Sequence, residues 1–108
     1  MGCYTAYTLR APGNLEMEAG IIEAFRADCE DAAYALNENG NPKEYSKWYE
    51  HEEDMKKLSR KYPDVLLLLE GSGEGPCDRW KKYFLGGKVQ VCLPSITFEP
   101  FDMNKLEG

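Results

Sequence analysis

Long apolar runs are missing from this chain. The longest, residues 65–69, is far too short to cross a membrane. No apolar stretch follows the start, as a secretory leader would require. Both absences lead to the expectation of a cytoplasmic protein without membrane contact. The start Met1-Gly2-Cys3 suggests N-myristoylation, but Ala6 stands where that signal needs Ser or Thr.

Histidine is nearly absent: His51 is the only one in 108 residues. His51-Glu52 opens like the zinc-hydrolase pattern H-E-x-x-H, yet Met55 occupies the position of the second ligand. The four cysteines, Cys3, Cys29, Cys77 and Cys92, include no C-x-x-C pair and fit no common zinc spacing. They read as free thiols of a reducing compartment. Cys77, beside a glycine-rich stretch, is the cysteine expected to be exposed, and a Cys–His thiol pair could form only with His51. Gly71-x-Gly73-x-Gly75-Pro76 lacks the Lys-Ser/Thr of a phosphate loop, and Glu70 and Glu74 would repel phosphate. Nothing here implies a cofactor or a metal.

Positive charge is also short. Nineteen acids oppose thirteen bases, for a net charge of −6. Such a balance argues against binding nucleic acid by phosphate neutralisation. The acidity is uneven. Residues 1–42 hold seven acids and two bases, and residues 43–108 hold twelve and eleven.

What is present fits one α+β domain spanning residues 1–108, a length that can bury a core without staples. Residues 3–10 read as a strand with Cys3, Thr5, Tyr7 and Leu9 on one face. Asn14 reads as the cap of a helix starting at Leu15. Ile21, Phe25, Cys29, Ala32 and Leu36 give that helix one apolar face. Glu16, Glu23 and Glu30 recur every seven residues on the opposite side. The sequence 37–42 ends the helix, with Gly40 free to take positive φ.

Residues 45–49 read as a short strand, followed by a helix over 50–61; one long helix from 42 is the alternative. Acids precede bases in that second helix, which complements its dipole. His51, Met55, Leu58 and Tyr62 share its inner face. Residues 65–70 read as a buried strand, and 71–76 as a flexible connector. Residues 79–85 and 89–93 flank Gly86-Gly87, a hairpin signal. Alternation puts Trp80, Lys82 and Phe84 on one face, with Lys81, Tyr83 and Leu85 on the other. Ile96 and Phe98 extend the sheet, and residues 101–108 lie on the surface.

Two segments carry most of this information: Trp48-Tyr49-x-His51-Glu52-x-Asp54-Met55-x-x-Leu58-Ser59-x-x-Tyr62-Pro63 and Asp78-x-Trp80-x-x-Tyr83-Phe84-x-x-Gly87-Lys88. They resemble small proteins of phages, prophages and mobile elements, a ferredoxin-like α+β group without an assigned activity. The resemblance covers roughly residues 45–100, with a weaker match over 3–36. Members often carry a more acidic turn where this chain has Gly71-Ser72-Gly73-Glu74-Gly75, which weighs against a role for that loop. The expected fold is an antiparallel sheet of four to five strands with two helices on one face, ferredoxin-like.

Three functions are compatible with these features. The favoured one is a non-enzymatic acidic interaction protein of mobile-element type. It would engage a host or defence protein through Glu16, Glu23 and Glu30. The second is a single-strand nucleic-acid binder that stacks bases on Trp48 and Trp80, with Tyr83, Lys81, Lys82 and Lys88 beside them. The third is a small enzyme using His51 as a base beside Glu52 or Asp54. An exposed sheet edge would permit homodimers, but the sequence does not set the oligomeric state.

Overall fold

Period-two alternation seats the first strand. β1 (Ala6–Arg10) buries Tyr7 and Leu9 and turns Ala6, Thr8 and Arg10 the other way. The computed structural model describes residues 4–73, 79–94 and 100–108. Cys3, Cys77, Ile96 and Phe98, with the expectations attached to them, lie outside the described residues.

The expected first helix is two. α1 (Leu15–Asp28) ends where Cys29 turns extended, at φ −133° and ψ 112°, and α2 (Glu30–Ala35) follows at once. Ile21, Phe25, Ala32 and Leu36 are all buried as the apolar spacing requires. A one-residue link preserves that spacing well enough to be invisible in it. Asn14 does not cap α1 with its side chain. The Glu18 carboxylate instead reaches back to the loop before the helix and accepts the Ala11 N–H at 2.8 Å.

Residues 36–46 lie along the outer edge of β1. The Gly40 carbonyl accepts the Leu9 N–H at 2.8 Å, and Thr5 and Ser46 exchange backbone bonds of 2.9 and 3.0 Å. The strand expected over 45–49 is therefore a single bridge at Ser46. α3 (His51–Lys61) then begins within a residue of its expected start, so the long helix from 42 does not form. It buries Met55, Leu58 and Ser59.

β2 (Leu67–Ser72) lies two residues later than expected and takes in Gly71 and Ser72, the first residues of the expected connector. β3 (Arg79–Leu85) and β4 (Lys88–Cys92) form the hairpin. Gly86 and Gly87 supply the two left-handed residues of its turn, at φ 57° and 85°. The Ser59 hydroxyl accepts the Gly87 N–H at 2.8 Å, tying the turn to α3. Residues 100–108 are exposed and hold one 3-10 turn, Met103–Lys105.

The described strands form one antiparallel sheet in the order β1-β2-β3-β4. All three helices lie between the first and second strands in sequence. A ferredoxin-like chain alternates β-α-β-β-α-β, so this order departs from it. Register assigns the two faces. Tyr7, Leu9, Leu67, Leu69, Trp80, Lys82, Phe84 and Val89 share the side that carries the core. Thr8, Leu68, Glu70, Ser72, Arg79, Lys81, Tyr83 and Gln90 share the other. Among the described residues no helix is long and apolar enough to cross a membrane.

Candidate functional site

The inner face carries a polar cluster where α3 meets β3. Trp48 enters the core with 2% of its surface exposed. Its indole N–H donates to Asp54 Oδ2 at 2.8 Å, and the Cys29 thiol donates to the same oxygen at 3.5 Å. Tyr7 meets the Trp48 ring edge-on at 5.2 Å. Burial raises the Tyr7 hydroxyl above its ordinary pKa.

His51 lies flat against Trp80, with ring centres 5.0 Å apart and planes 16° from parallel. Trp80 in turn covers Gly71, its cross-strand partner, where any Cβ would collide with the indole. His51 Nδ1 is 2.8 Å from the Trp48 carbonyl. A carbonyl only accepts, so Nδ1 carries the proton. That leaves a lone pair on Nε2, which accepts from the Lys82 ammonium at 2.7 Å. Lys82 also bonds Glu52 at 2.8 Å and lies over Trp80 at 4.5 Å.

The electrostatics follow from this arrangement. Burial lowers the His51 pKa, and the Lys82 charge lowers it further, against the Trp48 carbonyl and the nearby acids. The bond from Lys82 lowers Glu52. His51 therefore rests as the neutral Nδ1–H tautomer. Its basic nitrogen could take a substrate proton only after Lys82 moves away, which weakens the case for His51 as a general base.

The outer sheet face has a different character. A groove of about 660 Å³ opens there, lined by Thr8, Glu70, Ser72, Arg79, Lys81 and Cys92 among others. This is within the size range of ligand pockets. Arg79 and Lys81 are exposed, and Tyr83 is half-buried next along the strand on the same face. Lys88 sits at the head of β4 on that face, opposite Leu85.

The sequence-assigned residues thus divide. Trp48, His51, Glu52 and Trp80 come together in the inner cluster, while Tyr83 and Lys88 belong to the outer face. Trp48 cannot stack a base, because its ring is enclosed; Trp80 lies on the helix side between His51 and Gly71. Glu16, Glu23 and Glu30 are all exposed. The break at Cys29 puts Glu16 and Glu23 on α1 and Glu30 at the start of α2. Lys82, Asp54 and Tyr7 complete the inner cluster; the sequence points to Asp54 beside His51 and to Lys82 beside Trp80, but to no site role for Tyr7. The available signal was a lysine alternating with Trp80 and Phe84.

No protein-family model, no curated protein and no solved structure matches this chain.

Proposed function

We propose that the chain is a non-enzymatic protein-binding module that uses the outer face of its sheet. One observation carries this reading. The helices and the core occupy one side of the sheet, while the other holds a 660 Å³ groove with exposed Arg79 and Lys81 in a chain of net charge −6. A grooved face that none of α1, α2 and α3 covers, of opposite charge to the rest of the molecule, suits a partner better than bulk solvent does. The resemblance to mobile-element proteins would make that partner a host or defence protein.

This moves the surface favoured from sequence. Exposed glutamates on solvated helices need no partner to explain them. The enclosure of Trp48 weighs against the nucleic-acid reading, and the Lys82 bond on His51 Nε2 weighs against the enzyme reading.

The test is a comparative pull-down from host lysate with three proteins: the wild type, Arg79→Glu/Lys81→Glu, and Glu16→Lys/Glu23→Lys. Retention of one partner by the wild type and the helix variant, with loss by the sheet variant, is the expected result. Equal recovery by the wild type and the sheet variant would overturn the proposal, as would a partner lost only with the helix variant.

A further inference from the structure

The charges on the outer face are spaced regularly. Arg79 and Lys81 are two apart on β3, so both project from the same side, roughly 6.6 Å apart along the strand. Across from them, Ser72 pairs with Arg79 and Glu70 with Lys81. Of the charged strand residues that register places on this face, Arg10, Arg79, Lys81 and Lys88 are cations and Glu70 is the one acid. Arg10 is already engaged with the carbonyls of Leu9 and Asn39 and the side chain of Asn41, which leaves Arg79, Lys81 and Lys88 to face a ligand.

From this spacing we infer that the groove takes an extended acidic segment of a partner protein, with carboxylates at alternate residues that meet Arg79 and Lys81. The inference rests on the binding-face reading above. An extended peptide repeats every two residues at the same distance as β3, so an Asp/Glu-x-Asp/Glu segment matches both cations at once. Its intervening side chains point away from the sheet. Charge complementarity favours such a segment, because its acids meet the cationic face and avoid the acidic helices. A phosphate backbone fits less well. Tyr83 is the one aromatic ring that register places on this face.

The experiment titrates the full chain, by fluorescence anisotropy, into three labelled probes of equal charge. One is a peptide with glutamates at alternate positions, one has the same glutamates in a contiguous block, and one is an oligo-deoxythymidine. The alternating peptide is expected to bind best, about fivefold tighter than the block, with binding that weakens as salt is added. Arg79→Ala and Lys81→Ala should each remove that advantage, while Glu16→Lys/Glu23→Lys should leave it in place. Equal binding of the two peptides, tighter binding of the oligonucleotide, or indifference to both alanine variants overturns the inference. If the pull-down still depends on Arg79 and Lys81 while the two peptides bind alike, the binding face stands and the alternating acidic segment falls.

Discussion

Lys82 donates to His51 Nε2 at 2.7 Å, and this bond holds the imidazole in its neutral form. The only other ring nitrogen already donates to the Trp48 carbonyl. A protonated His51 would point an N–H at an ammonium.

This geometry sets a pH dependence. Folding lowers the His51 pKa below its ordinary 6.5, through burial and then the Lys82 charge, with Glu52 and Asp54 opposing. Between the lowered value and 6.5 the unfolded chain binds a proton that the folded chain does not. The contribution of His51 to stability is therefore whole above 6.5 and is lost as pH falls below it. Urea unfolding between pH 7.5 and 5.0 should show a falling midpoint. His51→Phe, which keeps a ring against Trp80, should flatten that fall across the window. Parallel curves for the two proteins would show that His51 does not carry it.

Two buried serines should respond in opposite directions. Ser59 accepts the Gly87 N–H and donates to the Lys56 carbonyl, so Ser59→Ala strands the turn and should cost about 1–2 kcal/mol. The Ser46 hydroxyl is buried without a partner among the described residues. Ser46→Ala removes that liability and should be neutral or stabilising, by at most about 1 kcal/mol. Chemical denaturation of both variants compares them directly. A larger loss for Ser46→Ala than for Ser59→Ala would contradict both assignments.

Two glycines likewise differ. Gly20 lies inside α1 with nothing within 4 Å of an added Cβ, so Gly20→Ala should stabilise by about 0.5–1 kcal/mol through helix propensity alone. Gly71 lies beneath the Trp80 ring, and Gly71→Ala should cost about 1–3 kcal/mol and push Trp80 toward solvent. Thermal melts give the stabilities, and a red shift of tryptophan emission in Gly71→Ala reports the displaced ring. An unshifted spectrum at wild-type stability would mean that the close approach is not real.

Much of the fold could be read from spacing. The alternation of Tyr7 with Leu9, the 3.6-residue period through Ile21 and Phe25, and Gly86-Gly87 each have one dominant structural solution. The break at Cys29 does not, because a one-residue extended link leaves the apolar order intact. Residues 45–49 misled for another reason. Aromatic content favours a strand, but Trp48 is buried by a tertiary fit between Tyr7 and Phe25, while Tyr45 and Tyr49 face out. The helix-strand order was hidden because local patterns carry no information about which strands pair. The site was less legible than the fold. His51, Glu52 and Trp80 were visible as residues, and alternation put Lys82 on the face of Trp80, but its bonds to His51 and Glu52 depend on how α3 packs on β3.

Asp54 should control the chemistry of Cys29. It accepts from both the Cys29 thiol and the Trp48 indole, a bond the thiol can make only while protonated. Burial raises the thiol pKa first, and the Asp54 charge and bond raise it further. Alkylation of Cys29 near pH 8 should therefore be slow. In Asp54→Asn the charge is gone while the amide oxygen can still accept from Trp48, so Cys29 should react several-fold faster. Cys92, on the outer face, serves as the internal reference in the same peptide map. Ser59→Ala separates a changed thiol from a looser fold, since it destabilises the chain without touching this site. Acceleration in Asp54→Asn but not in Ser59→Ala identifies the carboxylate as the cause, whereas equal acceleration in both assigns the effect to opening of the helix layer and removes Asp54 from the explanation.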